Sequence, residues 1–364
     1  RSAATRPVSL RDPAAYGTSL ENAVTAGEPA RIRALVRAQP EGARLQFEEK
    51  LLPGIAEGKA PQPGTDLLAG AILEVARDRM PVDVLHEAGD ATSDWRLAVL
   101  AYSSARREYS AYRWKESEPH FRSALPTLRH RGSALAPWAA FSLGVIALQK
   151  GKTREAEIAL TQIIHDARSR AQPFLEARAF YARSVIAGSG TRIDDAIEDR
   201  RRALALFETA ADPAWAGFMD SQIAELHAIA GRPQIGWAGR LRALRTAPGF
   251  FDPRRTILAF EVVGDDALSA AQPRTSAAIY EEAVRLAREL GVADSIADTL
   301  VYLARAYAQF DEPRARMTLS EARSWLAQVQ DPILKERLKG ETSLVAAEME
   351  FAGSSSHSID QALD

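Results

Sequence analysis

Residues 140–151 read Ala-Phe-Ser-Leu-Gly-Val-Ile-Ala-Leu-Gln-Lys-Gly. The pattern returns at 220–231 as Asp-Ser-Gln-Ile-Ala-Glu-Leu-His-Ala-Ile-Ala-Gly, and at 300–311 as Leu-Val-Tyr-Leu-Ala-Arg-Ala-Tyr-Ala-Gln-Phe-Asp. Working outward, Gly151, Gly190, Gly231, Gln272, Asp311 and Gly353 stand about 40 residues apart, each closing one helix-like stretch before another. A fixed period of this length is the mark of a solenoid, in which each unit buries its apolar face only against its neighbours. Such a chain is expected to offer a binding surface and not a catalytic centre.

At 364 residues the chain exceeds the size at which one compact core stops growing. A solenoid escapes that limit because its core is a line. The 46% hydrophobic content, carried largely by Ala and Leu, suits helix-on-helix packing with small residues at close crossings. The 46 Lys and Arg nearly balance 48 Asp and Glu, so no bulk charge draws the chain to nucleic acid or acidic lipid. Without a cysteine there is no disulfide, thiolate metal site or cysteine nucleophile, and the redox compartment stays open. No apolar run approaches 18 residues, which excludes direct membrane insertion by a helix of this chain. The start at Arg1, with no Met, leads us to expect a preceding segment such as a signal or anchor.

Residues 1–16, rich in Pro, Ser and Arg, read as an extended arm. Residues 17–91 are helical but off-period and read as a divergent N-terminal helical cap, with helices expected over 19–26, 29–38, 44–57 and 65–79. Pro40, the 58–64 stretch and Pro81 are the expected breaks. Residues 92–364 carry the repeat. Helix pairs are expected at 93–110 with 113–128, 135–150 with 152–167, and 173–187 with 192–208. Further pairs fall at 213–230 with 232–246, 253–269 with 273–290, and 292–309 with 312–328. Asp212-Pro213 and Asp331-Pro332 join an N-cap to Pro at the first helical position. A last helix is expected from Pro332 to Phe351, then a polar turn over 354–358 and the opening of another helix, so that the final unit is incomplete and the natural protein continues.

Aligned on their turns, these units resemble the tetratricopeptide (TPR) repeat. Leu143, Gly144, Gly151, Ala156 and Leu160 keep the family's spacing of small and bulky residues. So, with a one-residue slip, do Leu303, Ala304, Tyr307, Asp311, Ala315 and Ala322. Trp114, Phe121 and Ala124 fit the first unit, and Tyr280 and Ala283 the fifth. The period departs from the family's 34 residues, so each helix is expected to be longer by up to almost one turn. The resemblance implies an all-α, right-handed α-solenoid superhelix of TPR-like helix pairs. More narrowly, the repeats ending in Ser-Ile-Asp-Gln-Ala-Leu-Asp at 358–364 resemble the repeat region before a caspase-like CHAT peptidase domain in some bacterial multidomain proteins. That peptidase carries a His/Cys pair. With no Cys here, the resemblance implies the recognition part of a larger protein, joined to a C-terminal effector domain.

Candidate chemistry is sparse. His86-Glu87 lacks the second His that a zinc-peptidase helix needs, and no two of the six histidines share one helix face at i,i+3 or i,i+4. The Gly188-Ser189-Gly190-Thr191 turn lacks the Gly-Lys-Ser/Thr of a phosphate loop. Arg200, Arg201 and Arg202 follow Asp194, Asp195, Glu198 and Asp199, which makes a mixed-charge solvated face. We therefore expect no catalytic residue, cofactor or metal.

The TPR resemblance implies a concave groove lined by the first helix of each pair. Carried over by position, that face holds Val99, Tyr102, Arg106 and Tyr109, then Trp138, Phe141, Val145 and Gln149. Glu176, Ala179 and Arg183 follow, then Phe218, Ser221 and Glu225, and later Asp298, Val301 and Arg305. Tyr102, Arg106, Tyr109, Trp138, Phe141, Arg183, Phe218, Glu225 and Arg305 are the groove candidates, suited to an extended peptide with apolar anchors and carboxylates. The two-Lys, two-Asn clamp of chaperone-binding TPRs is not recognisable. Protein or peptide recognition is the expected work. The alternatives are a scaffold that stacks head to tail and an all-helical toroid hydrolase, which would need carboxylates converging at one rim.

Overall fold

A computed structural model describes residues 13–190, 192–232, 237–329 and 332–363, with the backbone alone at 332–333 and 352–363. Every regular element among them is helical. The chain divides into two compact units, Arg1–Phe251 and Asp252–Asp364.

The first unit opens with α1 (Pro13–Ala26), α2 (Pro29–Ala38), α3 (Pro40–Gln46), α4 (Leu52–Ala56), α5 (Thr65–Ala76) and α6 (Met80–Gly89). A π-turn over Phe47–Leu51 joins α3 to α4, so the backbone is helical from 40 to 56. Residues 1–12 of the expected arm lie outside the described residues, and helix begins at Pro13. Two prolines expected to break helices instead start them. Pro40 and Pro81 occupy the first turns of α3 and α6, where a missing N–H costs nothing. The helix Met80–Gly89 is therefore an element absent from the sequence reading.

Four pairs follow: α7 (Ser93–Ser110) with α8 (Trp114–His130), α9 (Ala136–Gln149) with α10 (Thr153–Ser169), α11 (Pro173–Ser189) with α12 (Ile193–Thr209), and α13 (Pro213–Ile229) with α14 (Trp237–Thr246). The second unit holds α15 (Pro253–Ser269) with α16 (Pro273–Leu290), α17 (Ala293–Ala308) with α18 (Glu312–Leu326), and α19 (Pro332–Leu363). These are the expected pairs to within a few residues. The polar turn expected at 354–358 is not there, because the backbone stays helical through Gly353 and the serines. Those residues are weak helix formers, but none is a proline and no stop follows them. Asp331 lies outside the described residues, as do Thr191 and residues 233–236.

One corner device recurs about every twenty residues. Tyr112, Gly132, Gly151, Ala171, Ala211, Gly231, Ala271 and Gly291 all have positive φ, between 50° and 72° or, at Gly231, 76°. The next N–H reaches back over five residues, as from Asp212 to the Phe207 carbonyl at 3.0 Å and from Gln172 to Ala167 at 3.0 Å. This left-handed corner closes the last turn of a helix and reverses the chain. It is followed by Pro at the first helical position at 173, 213 and 273. Asp212 completes its corner by accepting from the Trp215 N–H at 3.1 Å.

Alanine does the packing. Ala156, Ala196, Ala203, Ala304, Ala315 and Ala322 are fully buried at helix crossings, and an aliphatic or aromatic residue fills the space beside each. One close crossing is α15 on α16. A Cβ at Gly264 would stand 2.7 Å from the Tyr280 ring, so only glycine lets that ring seat. In the first unit the core is an aromatic chain: Trp138 stacks on Phe174, Phe174 meets Phe207 edge-on, and Phe207 stacks on Trp215 at 5.0 Å.

Candidate functional site

The first helices of the four pairs in unit one present Tyr102, Arg106 and Tyr109 on α7, Trp138 and Phe141 on α9, Phe174 and Arg178 on α11, and Trp215 and Phe218 on α13. Within each helix these residues are three or four apart, which sets them on one face. All are nonetheless buried. Tyr102, Arg106, Trp138, Phe174, Arg178 and Trp215 among them are covered by the segment α3, π-turn and α4 of the same chain.

The contacts are specific. Glu48 is fully buried, and its carboxylate accepts from the Tyr102 hydroxyl at 2.6 Å and from Arg44 Nη1 at 2.7 Å, with Arg106 Nε at 3.3 Å. One turn back, the Arg44 guanidinium lies 3.9 Å from the centre of the Trp138 ring and 5.3 Å from Phe174. A further turn back, Glu41 accepts from Arg178 Nη1 at 3.3 Å and from Trp215 Nε1 at 3.1 Å. Arg178 is itself held between Phe141 and Trp215. At the far end Phe251 lies against Gly42, where a Cβ would stand 2.5 Å from the ring. At the near end Arg96 of α7 donates to the Ile55 and Ala56 carbonyls at 3.4 and 3.1 Å, supplying positive charge at the C-terminal end of α4.

The electrostatics follow from burial. Desolvation pushes the Tyr102 hydroxyl well above its ordinary range, and the neighbouring Glu48 adds to the rise. Desolvation works most strongly against the Arg106 charge, but Glu48 together with Tyr102, Glu49 and Tyr109 outweighs it, and the guanidinium is held charged. Desolvation also lifts buried Asp78 to about 6, against the pull of Arg44. Not every donor is met. Trp138 Nε1 and Arg44 Nε and Nη2 are buried without a hydrogen-bond partner, at about 1–3 kcal/mol each. A buried ion pair roughly breaks even against an apolar pair, because the charges surrender their hydration. The interface therefore specifies a register more than it supplies affinity.

The nine groove candidates separate in space. Tyr102, Arg106, Tyr109, Trp138, Phe141 and Phe218 share the covered face or the aromatic cluster beneath it. Arg183 sits apart, between α11 and α12, making two 2.7 Å bonds to Asp199 and one of 3.3 Å to Thr161. Glu225 accepts from Gln222 at 3.0 Å and lies 3.7 Å from buried Arg200. Arg305 belongs to the second unit, where it is exposed in a shallow cleft with Leu268, Pro273, Gln309 and Glu348. The occupants Glu41, Arg44 and Glu48 and their partners Arg178 and Trp215 were missed. Their signal was present: three charged residues at i, i+3 and i+7 sit among Ala43, Phe47 and Leu52.

Among the described residues no group of three or more His, Asp or Glu is arranged to hold a metal ion, and no helix is long and apolar enough to cross a membrane. Carboxylates do gather in the second unit, with Asp298 half-buried and Asp265 exposed. Asp298 pairs with Arg337 at 3.0 Å, Asp265 accepts from the Tyr280 hydroxyl at 2.7 Å, and each is thereby engaged.

No protein-family model and no curated protein matches the chain by sequence. Solved structures match it by shape. A Rap protein complexed with Competence and Sporulation Factor aligns over 97% of this chain and 96% of its own, with TM-score 0.57 and 11% identity. The Rap conjugation gene regulator of plasmid pLS20, in complex with the Phr* peptide, aligns over 93% and 97%, with TM-score 0.50 and 11% identity. A STAND protein with a TPR sensor from Pyrococcus horikoshii aligns over 92% of this chain and 52% of its own, with TM-score 0.53 and 15% identity. By fold the chain is a TPR-like α-solenoid.

Proposed function

We propose that the chain is a non-catalytic protein-interaction module whose first-helix face between residues 93 and 251 receives a helical segment of a protein or peptide partner. The observation that carries this reading is the helix already lying there, held by Tyr102, Arg106, Trp138, Arg178 and Trp215. Helix-in-groove recognition uses such periodic anchors. The two Rap structures, solved with Competence and Sporulation Factor and with the Phr* peptide, support a peptide-sized partner. The resemblance to repeats that precede caspase-like peptidases supports a further step, in which the module presents its partner to an effector domain.

The test uses the full chain with Glu41→Gln and Glu48→Gln, which loosen its own helix. A fluorescent peptide of residues 39–57 is titrated into it and followed by anisotropy. Saturable binding is expected, at least tenfold weaker for a peptide carrying Gln at both glutamate positions. Equal binding of the two peptides would remove the recognition reading.

A further inference from the structure

We infer that the partner received in trans is an acidic amphipathic α-helix presenting Glu, Arg and Glu at i, i+3 and i+7, and that residues 40–56 are a placeholder which that partner displaces. This rests on the reading of the covered face as a recognition surface. Only a helix sets residues 41, 44 and 48 on one line, and the face reads each of them with different chemistry. Arg178 and Trp215 Nε1 take the first carboxylate, the Trp138 ring takes the guanidinium, and Tyr102 with Arg106 takes the second carboxylate. The fixed cations of the face are Arg106 and Arg178, and Arg106 Nε and Trp138 Nε1, both buried there without a hydrogen-bond partner, are donors. A partner bringing more acceptors than the resident helix fits this face better.

The resident helix has the build of a replaceable occupant. It carries Gly42 and Gly54 inside a helical run, and the π-turn over Phe47–Leu51 interrupts its regular bonding. Its contacts combine ion pairs with buried Phe47 and Leu52, and the charges freed on leaving are rehydrated. Beyond Ala56 the chain passes into exposed residues 57–61, with Gly58 at φ 79°, a slack connection that lets the helix swing away while the chain stays whole. Behind it, α2 packs on α5 and Tyr16 holds the Gln39 carbonyl, contacts the docked helix does not itself make, while α1, α2 and α5 also touch α3.

The absence of native cysteine makes the test direct. Spin labels at Lys50→Cys and His165→Cys, both exposed positions, report the distance from the helix to α10 in the full chain. One distance population is expected alone. Adding unlabelled peptide 39–57 should build a second, longer population, and the peptide with Gln at both glutamate positions should need at least tenfold more. Hydrogen exchange on the unlabelled chain should open residues 40–56 at least tenfold faster than α7–α13. If the peptide binds the loosened variant above but never shifts the distance here, the placeholder inference falls and the recognition reading stands. If it binds neither, both fall. Equal displacement by the two peptides, or exchange of 40–56 in step with α7–α13, would also overturn the inference.

Discussion

At the scale of single residues the decisive feature is a set of charges taken out of water. Glu48 is shared by Arg44 and Arg106, and Asp78 lies close enough to feel Arg44, Glu48 and Asp83. Asp78 Oδ1 accepts from the Met80 N–H at 3.0 Å, but Oδ2 is buried without a partner. Burial raises its pKa to about 6, against about 3.9 in the unfolded chain. Between those values the folded protein holds a proton that the unfolded chain has lost. The contribution is therefore fully present below about pH 4 and is lost as pH rises through about 6. A shift of about two units corresponds to about 3 kcal/mol at most. The Asp78→Asn variant cannot ionise there. Its urea stability relative to the natural chain should climb by about 1–3 kcal/mol between pH 4 and 7, and parallel pH curves for the two proteins would count against the assignment.

At the scale of elements the left-handed corners end most of the paired helices. Ala171, Ala211 and Ala271 occupy the same left-handed position as Gly151, Gly231 and Gly291, and alanine is strained there where glycine is not. Ala211→Gly is expected to raise stability by about 0.5–1 kcal/mol, after the larger unfolded-state entropy of glycine is deducted. Gly231→Ala, with nothing near its added Cβ, should lower it by about 1 kcal/mol through backbone strain alone. Denaturant midpoints that move together, or not at all, would refute this account of the corners. These corners explain why the helix pairs were legible: Gly151, Gly231, Pro213 and Pro273 punctuate the chain where the backbone turns. Periodicity also put Tyr102, Arg106 and Tyr109 on one face. It did not tell that the face is covered, because the residue contacting Tyr102 is 54 positions upstream, and the one contacting Trp215 is 174 positions upstream. Pro40 hid only the first turn of the covering helix, expected from 44, since a proline reads as a stop in sequence and served here as a start.

At the scale of the molecule, stability is laid out along the chain and not pooled in one centre. The second unit has its own cluster, in which Leu300, Ala304, Tyr280 and Leu319 are nearly or fully buried. Neighbouring repeats carry most of each other's stabilisation. Leu300→Ala should cost about 2–5 kcal/mol and speed amide exchange in α16–α18 while leaving α7–α10 unchanged. A uniform loss of protection over the whole chain would mean a single cooperative body instead. The covered face carries a last consequence for how the protein is made. Residues 40–56 leave the ribosome long before their counterpart Phe251, which at about 5–20 residues per second means roughly 10–40 s without a seat. An apolar helix left bare for that time would be an invitation to aggregate. One that carries Glu41, Arg44, Glu48, Glu49 and Lys50 is at home in water while it waits. The charges that weaken its grip on the finished fold protect the unfinished one.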